Sequence, residues 1–163
     1  MSALISDVLI RLDTIESLVS HLDKHADEVS AWSVGQQFVH VISATSAFSV
    51  MLLRDRKSAG SADQNPFKDP ILDSGVFPRG VVNAPKGLDN PAQPVASTLL
   101  RDILKCRNRV EKLPSLSPDT VATHHLLGEM TRDEVIRFLR IHLDHHLAIV
   151  RDILAEHDVT LEQ

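Results

Sequence analysis

Tyrosine is absent from this 163-residue chain, aromatic residues make up only 4% of it, and cysteine occurs once, at Cys106. So few aromatic rings exclude the stacking platforms on which single-stranded nucleic acids usually rest. A lone thiol closes no disulfide within the chain, so the fold depends on its core, and a reducing, cytoplasmic setting is expected. Positive charge is also short: 17 Lys and Arg stand against 22 Asp and Glu, a formal charge of -5, and no basic run stands out. Neither feature suits a nucleic-acid binder. No basic segment leading into an apolar one opens the sequence, where Ser2 to Asp7 mix polar and apolar residues, so no secretory leader is expected. Residues 29–53 carry no formal charge but include Ser30, Ser33, Gln36, Gln37 and His40. That mixture reads as a helix enclosed by protein and not as a membrane span.

With 43% hydrophobic and 24% charged residues, the composition is that of one globular domain over residues 1–163. A chain of this length can bury roughly 70% of its unfolded surface. Its apolar periodicity is helical. Ile5, Val8, Leu12, Ile15, Val19 and Leu22 step by three and four residues, the seam of an amphipathic helix over about 2–28. Ser33 and Gln36 in "AWSVGQQ" form a capping box, in which each side chain satisfies a backbone donor that the first helical turn leaves free. They open a second helix, about 33–57, with one apolar row at Val34, Phe38, Val41, Thr45, Phe48 and Leu52 and another at Ala44, Ala47 and Met51. Two rows predict burial on two sides.

Periodicity stops over residues 58–90, which hold Gly60, Gly75, Gly80 and Gly87 together with Pro66, Pro70, Pro78 and Pro85. A long irregular crossover is expected there, suited to a lid, with Phe67, Ile71, Phe77, Val81 and Val82 as apolar anchors. A third helix, about 91–113, takes Pro91 in its first turn, Gln93 as capping partner and Leu99, Ile103, Cys106, Val110 and Leu113 as its seam. The fourth, about 131–157, opens on a capping box of Thr131 and Glu134, with Met130 and Val135 as a hydrophobic staple. The fold class is all-α, four helices.

Histidine is the residue in excess, with nine in the chain. Val135, Leu139, His142, His146, Ile149 and Ile153 occupy successive seam positions of the fourth helix, so imidazoles stand where Leu or Ile would be expected. Four apart, they lie one turn from each other on the same face and can reach one ion. His21 and His25 share that spacing but fall among Asp23, Lys24 and Asp27, off the seam, and read as solvated surface. Two histidines do not complete a catalytic site, which generally takes three protein ligands and keeps a position open. His40, in the uncharged second helix and in line with Ala44 and Ala47, is the best third donor. His124 and His125 precede the fourth helix on a glycine-containing loop and reach such a site only from one end; His145 flanks the seam. An all-imidazole site is expected to lose its ion as pH falls from about 7 to 5, where protons compete for the ring nitrogens. Cys106, Trp32 and Phe38 read as packing.

In "WSVGQQFVH", in the long crossover and in "HHLLGEMTRDEVIRFLRIHLDHHLAIV", the sequence resembles the DinB and YfiT-like proteins over almost its whole length. The resemblance implies a four-helix bundle of up-down-down-up topology and a divalent metal ion, nickel or zinc. One histidine of the second helix and two of the fourth hold it, which match His40, His142 and His146 here. Such relatives include thiol-dependent transferases and a maleylpyruvate isomerase, whose metal binds and activates a low-molecular-weight thiol. What this implies is a divalent-metal-dependent transferase, isomerase or hydrolase. A small-molecule substrate or thiol cosubstrate would be its partner, without nucleic acid or membrane, and a homodimer is compatible with it. A non-catalytic metal-binding bundle and a partner-binding helical module are the alternatives.

Overall fold

The computed structural model describes residues 3–58, 65–80, 84 and 86–159. Helix α1, Ala3–Ser17, buries Ile5, Val8, Leu9, Leu12 and Ile15 along one face. It stops well short of residue 28. Beyond Ser17 the backbone bonds tighten to three-residue spans, Leu18 to Ile15 and His21 to Leu18, and Val19–His21 is a single 3-10 turn. The carbonyls that follow are taken by the next helix: Val34 N–H donates to Lys24 at 2.9 Å and Gly35 N–H to Leu22 at 3.0 Å. These are donors that a helix start leaves unpaired, so the break in one helix satisfies the beginning of the other. Leu18 and Leu22 are still buried, which is why the apolar seam overruns the helix.

Helix α2, Val34–Leu53, carries the expected capping box of Ser33 and Gln36. A Cβ at Gly35 would meet Gln93 Nε2 and Pro94 Cδ at 2.8 Å and the Leu22 carbonyl oxygen at 2.9 Å. Only glycine lets the crossover segment pass this close to the helix start. Gln93 donates from Nε2 to the Leu22 carbonyl at 2.7 Å and accepts from the Ser33 hydroxyl at 2.5 Å. It clamps α2 and does not cap a helix at Asn90, and helix α4 accordingly begins later, Ala96–Val110.

Before it, the crossover contains a short helix, α3, Lys68–Ser74, which buries Ile71 and Leu72 and ends on Gly75 at φ 68°. Phe77 is packed as expected, with its ring 5.5 Å from His145 and 6.2 Å from Phe138, whereas Phe67, expected as an anchor, is 50% exposed. Gly60, Val81, Val82 and Pro85 lie outside the described residues.

The segment before α5 is not a simple loop. Strands β1, Val121–His124, and β2, Gly128–Thr131, pair antiparallel with Val121 opposite Thr131. Four-residue strands, one of them holding a glycine and a glutamate, have too little alternation to stand out against a helix start. Among the described residues the architecture is therefore helical with one two-stranded sheet.

Helix α5, Arg132–Ala155, opens on the capping box of Thr131 and Glu134; Met130 and Val135, the expected staple, are both fully buried. Helix α2 packs on α4 and α5, α1 on α5 and α4, β1 on α2, and β2 on α5. Arg11 Nε and Nη2 donate to the two Asp144 oxygens at 2.6 and 3.0 Å, setting the register of α1 along α5. Each large side chain in the shared core, such as Phe38, Leu12 or Leu139, stabilises by about 1.5–3 kcal/mol. Helix α2 is long and apolar enough to cross a membrane by length and composition, and 56% of its most apolar window is buried inside the protein. Its second apolar row differs from expectation. Ala44 is buried, but Ala47 is exposed and Met51 half-buried, because this side of α2 opens on a cavity.

Candidate metal centre

Side chains on α2 and α5 converge at that cavity. His40, His142 and His146 are buried, exposed by 5%, 7% and 6%, and each offers a ring nitrogen within 4.8 Å of those of the others. Ring centroids are 4.6 Å apart for His142 and His146, 4.7 Å for His40 and His146, and 5.3 Å for His40 and His142. The capping boxes at Ser33 and Thr131 fix where each helix begins, and hence which turn presents the imidazoles. The three residues expected from spacing and helix placement are thus together.

Hydrogen bonds decide the tautomers. His40 Nδ1–H donates to the Leu88 carbonyl at 2.9 Å, so its Nε2 carries a lone pair. His146 Nδ1–H donates to Gln37 Oε1 at 2.6 Å. Gln37 is itself oriented, since its Nε2 donates to Ser30 Oγ at 2.9 Å, which makes Oε1 the acceptor and leaves His146 Nε2 unprotonated as well. Outer partners of this kind orient metal-ligating histidines and raise their basicity. His142 Nε2 lies 3.1 Å from His146 Nε2, close to the roughly 3.3 Å between two ligand nitrogens of a tetrahedral zinc at 2.0–2.1 Å. His142 Nδ1 is buried without a hydrogen-bond partner among the described residues. A cluster of uncharged ring nitrogens, two of them with the Nε2 lone pair left free by a bond at Nδ1, fits a first-row divalent ion, for which imidazole is a suitable ligand.

Electrostatics keep the rings neutral. Burial holds His142 and His146 well below the ordinary imidazole value, and the neighbouring histidines push the same way. Burial also lowers His40, partly opposed by its bond to Leu88. Neutral imidazole is the form that binds metal. Below these rings lies a cavity of about 670 Å³, walled by Trp32, Phe48, Met51, Phe77 and Phe138 among others. No Lys, Arg, Asp or Glu lines it among the described residues.

The remaining histidines have other duties. His145 Nδ1–H donates to the Phe77 carbonyl at 2.9 Å, tying the crossover to α5. His124 ends β1 and lines the cavity from a buried position, and the exposed His125 beside it lines the same cavity. The crossover supplies acceptors to His40 and His145 through Leu88 and Phe77, so it forms a wall of the site. Trp32, expected as packing, is a cavity residue 5.1 Å from the His40 ring. Cys106 is core as expected, and burial pushes its thiol up to about 11. Gln37, Ser30 and Leu88 escaped the sequence reading. A trace of Gln37 was there, as an amide three positions before His40 in an otherwise apolar stretch; nothing local marks a backbone carbonyl at Leu88. Comparison with family profiles, with curated proteins and with solved structures gives no match for this chain.

Proposed function

We propose that the protein is a metal-dependent enzyme of the DinB and YfiT-like kind, a cytoplasmic four-helix bundle of up-down-down-up topology that holds nickel or zinc on His40, His142 and His146. The observation that carries this reading is the convergence of three neutral, buried imidazoles on the wall of an accessible cavity. Structural zinc sites are closed by four protein ligands, whereas catalytic ones keep a position open. Such an ion supplies Lewis acidity, which shifts a thiol or water toward its anionic form at neutral pH.

The chain's own residues do the rest. Gln37 and the Leu88 carbonyl hold two rings with Nε2 available, and Trp32, Phe77 and Phe138 keep the surroundings apolar. With no carboxylate on the cavity wall among the described residues, proton transfer during turnover falls to histidines or to the reacting thiol itself. This chemistry fits a thiol-dependent transferase or isomerase acting on a small molecule. The test is metal analysis of protein purified without a histidine tag, followed by titration with zinc and nickel. About one ion per chain, absent from His142→Ala and His146→Ala, is expected. A wild-type protein that takes up neither ion at micromolar concentration would overturn the reading.

A further inference from the structure

We infer that the cavity takes an uncharged, ring-bearing molecule whose carbonyl or ether oxygen accepts a hydrogen bond from Nε2–H of His124. The proposed function does not specify its substrate, and this inference deepens it, resting on it only in taking the cavity's occupant to be the molecule that reaches the triad.

The body of the ligand follows from the walls. A volume of about 670 Å³ falls within the roughly 300–1,000 Å³ of small-molecule sites. Trp32, Phe48, Phe77 and Phe138 supply ring faces and edges, against which another ring packs in offset or edge-on geometry. In the metal-free protein a charged body would lose its water and find no Lys, Arg, Asp or Glu among the lining residues described, a cost of several kcal/mol per ion.

The polar contact follows from His124. Its Nδ1 accepts from the backbone N–H groups of Leu126 and Leu127 at 3.0 and 3.1 Å. A nitrogen that accepts twice carries no proton, so in the neutral ring the proton is on Nε2. The ring is neutral: burial, helped by the neighbouring His125, pushes its pKa down to about 4. It is also held in place, stacked on Phe48 at 5.5 Å and on His125 at 4.4 Å, with the edge of Phe138 at 5.0 Å. No protein partner takes Nε2 among the described residues, although His124 lines the cavity and is only 8% exposed. With Nδ1 turned to the Leu126 and Leu127 backbone, Nε2 is the polar atom this cavity-lining ring has left for a ligand, and a donor so fixed is a preset contact for one acceptor, because its orientation is settled before the ligand arrives.

Calorimetric titration of the metal-free protein with indane, 1-indanone and indane-2-carboxylate tests both halves. The variant is His124→Asn, since Asn Oδ1 stands as many bonds from the backbone as His Nδ1 and can keep the Leu126 and Leu127 bonds while the Nε2 donor is removed. We expect 1-indanone to bind the wild type about three- to tenfold more tightly than indane, the carboxylate to bind more weakly than either, and the ketone preference to vanish in the variant. Independently of any variant, the His124 Nε2 nitrogen resonance of the wild type should move with 1-indanone and not with indane. Carboxylate binding as tight as the ketone's, a ketone preference intact in a folded variant, or no binding of either uncharged probe at millimolar concentration would each overturn the inference. Metal content measured on the same samples separates the two readings: the probe ranking can hold in a protein that takes no metal, and metal can bind where the ranking fails.

Discussion

His142 and His146 stand four residues apart, and so do His21 and His25, yet the two regions have nothing else in common. The first pair lies within the unbroken helix Arg132–Ala155, on the face that meets α2, so four residues mean one turn and adjacent rings. In the second, His21 closes the 3-10 turn Val19–His21 and His25 follows in non-helical chain. There the interval measures only distance along the backbone. His25 is exposed, with Asp27 3.3 Å from its Nε2, whereas His142 and His146 have each other, Gln37 and, among the described residues, no carboxylate. Spacing becomes chemistry only where a continuous helix and a buried face convert it into proximity.

Removal of a ligand should break this comparison most strongly. Zinc sites with four ligands bind with about 10–16 kcal/mol, or about 2.5–4 kcal/mol per ligand, so His146→Ala is expected to weaken zinc binding on the order of a hundred- to a thousandfold. A chelator competition titration at pH 7 measures it. A loss of less than tenfold would mean that the α5 pair does no more than the pair of His21 and His25.

Acid should separate the regions next, through stability. The pKa of His124 is pushed down to about 4, first by burial and then by His125; across the packing interface, His142 on α5 is the other titratable group that senses it. Between pH 6.5 and about 4 the unfolded chain takes up a proton at this position and the native protein does not. The contribution is therefore full above pH 6.5 and is lost as pH falls toward 4, on the order of 3 kcal/mol in all. Burial lowers His40, His142, His145 and His146 in the same direction, so in the metal-free protein they add to the slope. Direct proton competition for the folded metal site accordingly moves below the pH 7 to 5 window expected of an unperturbed imidazole. Denaturant midpoints of metal-free protein at pH 7.5, 6 and 5 should fall steeply, and midpoints independent of pH would contradict the buried neutral rings.

Gln37 offers a finer cut within the site. Gln37→Met keeps the volume, removes the acceptor from His146 Nδ1–H and leaves the ligand set intact. Loss of such an outer partner typically costs 10- to 100-fold in metal affinity, and a tenfold loss or more is expected with a stoichiometry still near one. Equal affinity in wild type and variant would show that the 2.6 Å bond to Gln37 does not set the tautomer.

The four long helices and the His142 and His146 pair were legible because both are periodic, whereas the seven-residue helix Lys68–Ser74 was not. The seams of α1, α4 and α5 name residues that are buried, among them Ile5, Leu12, Leu99, Ile103, Val135 and Leu139. The histidines interrupt the last of these seams. What was hidden is what depends on contact between distant segments. The end of α1 is set by Leu22 and Lys24 carbonyls serving α2, the start of α4 by Gln93 turning to Leu22, and the hairpin by pairing across a three-residue turn. Gln37 meets His146 across 109 residues. Local pattern carries no trace of a partner so far along the chain.

The smallest expected effect is at the other pair, and it sharpens the comparison by being small. In His21→Ala with His25→Ala, metal stoichiometry and affinity should equal those of the wild type, since neither ring belongs to the cluster of His40, His142 and His146. Stability should also change little. The His25 ring has the single ion pair to Asp27, with side chains 41% and 84% exposed, and surface pairs of this kind are worth about 0–1 kcal/mol. The bond from His157 Nε2 goes to the His25 backbone carbonyl at 2.9 Å, which an alanine retains. Isothermal zinc titration and a denaturation curve suffice to check both statements. A clear loss of metal in this double variant would place a ligand outside the α2 and α5 faces, and the distinction between a buried helical pair and an irregular one, half-buried at His21 and exposed at His25, would no longer account for where the ion binds.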